Sequence, residues 1–346
     1  MTYFDGFPAT AAAYAPIANR ALTWAALQAY LDAGATRTAA LAAEGLVERV
    51  DLDDPAREHG ADWFIDTQGY IAERSDCIVL AFRGSEPKDG RDWITDFHFR
   101  PMEVMSGLSV HSGFWRALNQ VWLDKIMPNI DLLRSKPLWI TGHSLGGAIA
   151  VLAAMRLFRE LPGGPTAQGV YTFGQPRASK LEFAAAYRAS PLWDRTFRLI
   201  NDEDVVSRVP PRVFKYCHVG HCGFYDAGHV LGLPPQRIEA IHPARATFVA
   251  YGDTLDGITN LDSLRVATTF GAAFAAGVAA DDRLLPEFAH AATLALRSSA
   301  LGRLDLALKA ANPFGVVAAV VPKQASDHFG QNYLDHAITN MARNPF

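Results

Sequence analysis

The sequence predicts an α/β protein, with a mostly parallel central sheet flanked by helices. Three observations carry this. First, the runs Cys77–Phe82 and Leu138–Ile140 are short and continuously apolar, as strands buried on both faces are, and Gly169–Phe173 and Phe197–Ile200 are mostly so. Second, helix-forming stretches separate these runs, and strands alternating with helices build a parallel sheet covered on both sides. Third, each run ends in a Gly-rich or polar cluster: Arg83-Gly84-Ser85, Gly142-His143-Ser144, Gly174-Gln175-Pro176-Arg177 and Asp202-Glu203-Asp204. In such sheets ligands and reactive groups gather outside the carboxyl ends of the strands.

The chain has 346 residues, 49% hydrophobic and 20% charged, with a net charge of −4. That is the balance of a soluble globular protein, long enough for one large or two ordinary domains. A pI near 6.3 and the lack of a basic run argue against a nucleic-acid partner. No window holds 18 uninterrupted apolar residues, so no spanning helix is expected. The first residues show neither a basic n-region nor an apolar h-region. A cytoplasmic chain, or a mature or unconventionally exported form, is therefore expected. Three cysteines, Cys77, Cys217 and Cys222, are too few for a disulfide framework, although a 217–222 bridge is open.

Residues 9–47 read as helices, with Ile17, Leu22, Trp24, Leu27, Tyr30 and Leu31 at helical spacing and Gly34 as a stop. Trp63-Phe64-Ile65 and Tyr70-Ile71-Ala72, joined by Asp66-Thr67-Gln68-Gly69, read as a β-hairpin. Cys77–Phe82 follows as a central strand, then a polar loop, Glu86 to Arg91. Val110 leads into a helix expected to reach about Met127. After the 138–140 strand, Ala148–Phe158 is a run of good helix formers. Pro210-Pro211 stops any helix there, and Val213–Phe224 reads as one long strand or two short ones. Residues 240–322 are Ala-rich, with helical stretches at 266–280 and 286–296 broken at Asn312-Pro313. They read either as helices packed on the sheet or as an inserted cap or lipid-facing surface.

One stretch carries chemistry most directly. Gly142-His143-Ser144-Leu145-Gly146 is Gly-x-Ser-x-Gly between a strand and a helix, the context of a nucleophile elbow. The sharp turn lifts the serine hydroxyl above the sheet. The two glycines are needed where the helix passes close to the strand and a Cβ would clash. A serine so placed needs a histidine to take its proton, a carboxylate to orient that histidine, and N–H donors for the oxyanion. On this architecture the order is Ser, acid, His. Asp202 and Asp204 both follow a strand end. Seven histidines come later (His218, His221, His229, His242, His290, His328 and His336), and residue chemistry alone does not choose among them. Cys217, His218, His221 and Cys222 could suggest zinc, but strand alternation puts them on opposite faces, so no metal site is expected.

Taken together, Phe82-Arg83-Gly84-Ser85, Asp92-Trp93-x-x-Asp96, His111-x-Gly113-Phe114, Gly142-His143-Ser144-Leu145-Gly146-Gly147-Ala148, Thr172-Phe173-Gly174-Gln175-Pro176-Arg177 and Asn201-x-x-Asp204-x-Val206-x-Arg208-x-Pro210-Pro211 resemble the class 3 lipase family of α/β-hydrolases. So does Asp66-Thr67-Gln68-Gly69-Tyr70. The resemblance spans roughly residues 60–225 and resumes near 326. It implies an α/β-hydrolase fold, with the Ala-rich segment inserted before the catalytic histidine. It implies hydrolysis of carboxylic esters, typically acylglycerols, by an acyl-enzyme route without a cofactor.

By position, the resemblance implies Ser144 as nucleophile and Asp204 as acid. His328, in Asp327-His328-x-x-x-x-Tyr333-Leu334, becomes the base, with His336 as the alternate. It implies Ser85 and Leu145 as oxyanion donors, and a lid over residues 86–108 in which Trp93, Ile94, Phe97 and Phe99 cover the closed site. The Tyr216-x-His218-x-Gly220 segment is implied to be structural. The expected organisation is a single domain over 1–346, with N-terminal helices at 9–47 and the insertion at about 240–322. The partner expected is an ester or lipid substrate, with a lipid–water interface in view. A phospholipase A1, feruloyl esterase or polyester hydrolase on the same machinery stands as the alternative, as does a non-catalytic binding protein on this fold. The stretch 226–325 is longer than the family's usual link between acid and histidine, which leaves substrate size and interfacial activation open; the sequence does not give the oligomeric state.

Overall fold

The computed structural model describes residues 2–53, 68–84, 100–161, 163–201, 204, 206–208, 210, 215–225, 231–232, 333–335 and 337–338. The eight strands of its main sheet are β1 (Val47–Asp51), β2 (Gly69–Glu73), β3 (Ile78–Phe82), β6 (Leu138–His143), β7 (Ala167–Phe173), β9 (Thr196–Asn201), β11 (His221–Tyr225) and β12 (Leu231–Gly232). They lie side by side in that order. From β3 to β11 every neighbouring pair is parallel, and antiparallel pairs close both edges. A second, antiparallel sheet has the order β10 (Tyr216–Cys217), β8 (Ser179–Lys180), β5 (Leu108–His111) and β4 (Pro101–Val104).

Strand alternation divides the core into two. Ile78, Leu80, Phe82, Leu138, Ile140 and Val170 face one side. There they meet α3 (Ser112–Val121), α4 (Ile130–Arg134), α5 (Leu145–Glu160) and α6 (Leu181–Arg188). Val79, Ala81, Trp139, Tyr171, Phe173 and Leu199 face the other side, against α1 (Pro16–Gln28) and α2 (Ala35–Ala43). Buried polar tips on this second face are hydrogen-bonded to the N-terminal segment. The Tyr70 hydroxyl donates to Ala25 O, Trp139 Nε1 to Ala9 O and Thr141 Oγ1 to Leu22 O, while the Tyr171 hydroxyl accepts from Ala15 N. Residues 2–28 are thereby tied to the sheet by specific bonds as well as by apolar burial.

Four local readings change. The N-terminal helices stop at Ala43, and Val47 opens β1, a short edge strand whose exposed and half-buried residues give a weak strand signal. β2 pairs with β1 on one side and with β3 on the other, so both its hydrogen-bonding edges are taken along 70–73. Those pairings leave 70–72 no free edge for the expected hairpin, whose first arm, Trp63-Phe64-Ile65, lies outside the described residues. The helix from Ser112 leaves α geometry at Val121 and continues as one π turn, Trp122–Ile126, then a 3₁₀ turn at Met127–Asn129. Pro128, which has no N–H, sits in that 3₁₀ turn. The last part of the expected lid stretch is the hairpin β4–β5, with Val104 and Leu108 packed into the core. Val213–Phe224 resolves into two strands, β10 and β11, with Gly220 at φ +75° between them.

Candidate active site

Strands β3, β6 and β7 are in parallel register with Phe82 opposite Gly142 and His143 opposite Phe173. Their carboxyl ends therefore finish at one level of the sheet. Ser144 follows β6 directly, with φ 59° and ψ −130°, and α5 starts at the next residue. A non-glycine residue at positive φ costs about 1–3 kcal/mol and persists only where its surroundings hold it. Here Ser144 N donates to Phe173 O at 2.8 Å, and Ser144 O accepts from Gly147 N at 3.0 Å. A Cβ on Gly142 would lie 2.3 Å from Gly146 C and O, and one on Gly146 would lie 2.2 Å from Phe82 O. Only glycine permits that approach of helix to strand, as the motif predicts. Leu145 opens α5, so helix geometry gives its N–H no acceptor within the helix.

The end of β3 lies against this turn. A Cβ on Gly84 would come within 2.9 Å of Ser144 Cβ, 2.7 Å of His143 O and 2.3 Å of the Tyr30 hydroxyl. The Tyr30 hydroxyl is 2.8 Å from His143 Nδ1. Arg83 lies over the Tyr30 ring and donates to Gln68 Oε1. Tyr30, beyond the end of α1, thus helps fix both the residue before the serine and the strand end that leads to Ser85.

Asp204 is fully buried beyond the end of β9. Its N–H donates to Asn201 O at 2.8 Å, its Oδ1 accepts from Val206 N at 2.8 Å, and its main-chain carbonyl accepts from the Ser207 hydroxyl. Two residues outside that turn hold it in place. His218 Nε2 donates to Ser207 O at 2.8 Å, and Arg177 Nη1 donates to Pro210 O at 3.0 Å. The Asp204 Oδ2 accepts from the Tyr333 hydroxyl at 2.5 Å, and that hydroxyl accepts from Asn201 N at 2.9 Å. The Tyr333 ring meets the rings of His143 edge-on at 5.9 Å, Phe173 at 6.2 Å and Tyr225 at 6.4 Å. Burial, with the carboxylate beside it, pushes the Tyr333 phenol well above its usual value, so it stays a proton donor.

Of the residues singled out by sequence, Ser144, Leu145 and Asp204 lie at the carboxyl edge of the sheet. A chain of contacts joins the serine's neighbour His143, through Tyr333, to Asp204. Ser85, Trp93, Ile94, Phe97, Phe99, Asp202, His328 and His336 lie outside the described residues. His221 is half-exposed beside Asp194, 3.3 Å away, and belongs to a different surface. No disulfide joins Cys217 and Cys222. Among the described residues no group of three His, Cys, Asp or Glu side chains could hold a metal. Sequence reasoning missed Tyr30 as a support of the elbow. Tyr333 was in view only as part of the histidine motif, with no contact assigned to it.

A parallel sheet with a strained serine at a Gly-bounded strand–helix turn, and a buried aspartate beyond a later strand, defines an α/β-hydrolase. Residues 79–214 match the family model described as Lipase (class 3), so the family resemblance read from the motifs holds over this stretch. A lipase of Rhizomucor miehei is 33% identical over 163 residues, covering 45% of this chain and 44% of its own. The triacylglycerol lipase OBL1 of Arabidopsis thaliana is 31% identical over 201 residues, covering 44% and 38%. The chain thus spans less than half the length of either relative. The solved Rhizomucor miehei lipase–propeptide complex superposes with a TM-score of 0.51 at 25% identity, over 62% of this chain and 69% of that one. No helix among the described residues is long and apolar enough to cross a membrane.

Proposed function

We propose that this protein is a serine carboxylic ester hydrolase acting on acylglycerols. The Ser144 elbow carries the reading: a non-glycine residue at φ 59° between β6 and α5, held at close approach by Gly142 and Gly146. Such strain has a purpose when the side chain must stand clear of the backbone at the mouth of the helix. Relatives named lipase and triacylglycerol lipase, matched over the same stretch, support the choice of substrate class.

In this reading His328 takes the Ser144 proton as the hydroxyl oxygen attacks the ester carbonyl. Asp204 orients the imidazole and stabilises the imidazolium. The oxyanion forms beside the N–H groups of Leu145 and Ser85, and one such donor is worth about 3 kcal/mol of the barrier. Collapse expels the alcohol, which takes the proton from the imidazolium and leaves an acyl-serine. Water, deprotonated by the same histidine, then releases the fatty acid and restores the serine. Residues 101–108 are built into the core hairpin. A movable cover over the site would therefore come from the earlier part of the stretch, which carries Trp93, Ile94, Phe97 and Phe99. A cover so rich in apolar side chains suits opening at a lipid–water interface.

The test is hydrolysis of p-nitrophenyl esters from acetate to palmitate, and of a triacylglycerol emulsion, by the wild type and the Ser144→Ala, His328→Ala and His336→Ala variants. Loss of activity in the Ser144 and His328 variants, with His336→Ala active, is the expected result. Preference for long chains and for the emulsion separates a lipase from other acyl-ester hydrolases. A Ser144→Ala protein as active as the wild type sinks the proposal.

A further inference from the structure

We infer that Tyr333 is a positioning residue of the site: its hydroxyl holds the Asp204 carboxylate in orientation and draws off part of its charge, and so sets the basicity of the histidine that Asp204 serves. The inference rests on the reading of Asp204 as the acid of the site.

The direction of the proton is fixed by the bonds around it. Asn201 N–H points at the Tyr333 oxygen and occupies an acceptor position, so the phenol's own hydrogen is left for Asp204 Oδ2. At 2.5 Å this is the separation of a charge-assisted O–H···O⁻ bond. Oδ1 is taken by Val206 N, so both oxygens are tied and the carboxylate plane cannot rotate about its Cβ–Cγ bond. Each carboxylate oxygen can accept more than one hydrogen, which leaves room for an imidazole N–H.

The phenol and its partner are both fully buried, where a hydrogen bond to a charge is stronger than in water. The other titratable or charged groups packed here are His143 from β6, Arg198 from β9 and Tyr225 from β11, while Cys222 of β11 faces Arg198. Of this cluster it is the Tyr333 hydroxyl that donates to Asp204 Oδ2. Tyr333 also lies five residues after His328, so the contact that orients the carboxylate also anchors the segment that carries the base.

Removing this donor leaves more negative charge on Oδ2 to attract an imidazolium. The base then holds its proton to higher pH, and the carboxylate is less well aimed. The test uses the full chain with p-nitrophenyl butyrate, measuring kcat, KM and the pH profile of kcat/KM for wild type, Tyr333→Phe, Tyr225→Phe, Asp204→Asn and Ser144→Ala. Tyr333→Phe keeps the ring packing. It is expected to lower kcat about tenfold with KM little changed, and to move the acid limb of kcat/KM to higher pH. Tyr225→Phe removes a buried hydroxyl from the same cluster and should leave the limb in place. Site-specific 3-fluorotyrosine at 333 retains the fold and strengthens the donor, so it should move the limb to lower pH, and it decides the matter if Tyr333→Phe does not fold. An unmoved acid limb in Tyr333→Phe or in the fluorinated protein, with Asp204→Asn and Ser144→Ala inactive, overturns the inference and leaves the reading of the site standing. Wild-type activity in Asp204→Asn and Ser144→Ala overturns both.

Discussion

Adding one methyl group at Gly84 tests the site geometry most directly. In Gly84→Ala the new Cβ lies 2.9 Å from Ser144 Cβ, 2.7 Å from His143 O and 2.3 Å from the Tyr30 hydroxyl. Carbon atoms settle about 3.5–4.0 Å apart, so the contact with Ser144 alone is about 0.6–1 Å too short. The Tyr30 hydroxyl can swing away at the loss of its bond to His143 Nδ1. The other two atoms belong to the elbow, which cannot give way without opening the bonds from Ser144 N to Phe173 O and from Gly147 N to Ser144 O. The strand end leading to Ser85 and the serine must therefore separate by a sizeable fraction of an ångström. A misplacement of about 1 Å between reacting groups costs on the order of a hundredfold in rate. Overpacking of this kind costs about 1–3 kcal/mol of stability. The assay is kcat/KM on p-nitrophenyl butyrate beside thermal unfolding, for Gly84→Ala, Tyr30→Phe and the double variant. The double variant removes one clash of three, so it should recover part of the stability and little of the rate. A Gly84→Ala protein within threefold of wild type in kcat/KM, with unchanged Tm, would refute the placement of the Gly84 strand end against Ser144.

Two further expectations concern the scaffold. Burial pushes the phenols of Tyr70, Tyr171, Tyr187, Tyr225 and Tyr333 upward from the usual value near 10. Above pH 10 the unfolded chain loses these protons while the folded one keeps them. Stability is therefore full below that pH and falls as pH rises beyond it, by up to about 1.4 kcal/mol per unit for each tyrosine. Thermal unfolding between pH 8 and 11.5 should show a steep decline beginning near pH 10, and a flat Tm to 11.5 would contradict the buried hydroxyls. Arg37, 1% exposed, joins α2 to β1 through Glu48, Asp51 and the carbonyl of Leu31. Arg37→Met strands the partly buried Glu48 and should cost about 2–3 kcal/mol in urea unfolding, with kcat/KM unaffected.

What could be read from the sequence was what the chain writes locally. The elbow needs a strand, a turn and a helix within about a dozen residues, and its glycines announce the close approach. Asp204 follows a strand end by three residues, so its place at the carboxyl edge could be read from β9. β1 could not, because an edge strand of five residues with Val47 half-exposed shows no buried run. The hairpin at 63–72 was misread because pairing is a property of the whole sheet: β1, from 20 residues upstream, occupies the edge the hairpin would need. The supports of the site were invisible for the same reason. Tyr30 reaches His143 across 113 residues, and Tyr333 reaches Asp204 across 129. No local pattern marks a tyrosine for such a contact. Residue chemistry left the proposed base open among seven histidines, and only the family resemblance around Asp327-His328 points to one of them.

On the proposed reading of Asp204 as acid and His328 as base, the same tyrosine, Tyr333, touches the first and lies five residues after the second. The acid turn is held by Asn201, His218 and Arg177, all of which precede residue 226. The Tyr333 ring meets that of Tyr225, at the end of β11, 6.4 Å away. Tyr225 and Tyr333, far apart in the chain, are therefore packed side by side, and Leu231–Gly232 between them adds β12 to the sheet edge. On the proposed reading, the bond from the Tyr333 hydroxyl to Asp204 ties the acid to the segment that follows the long stretch.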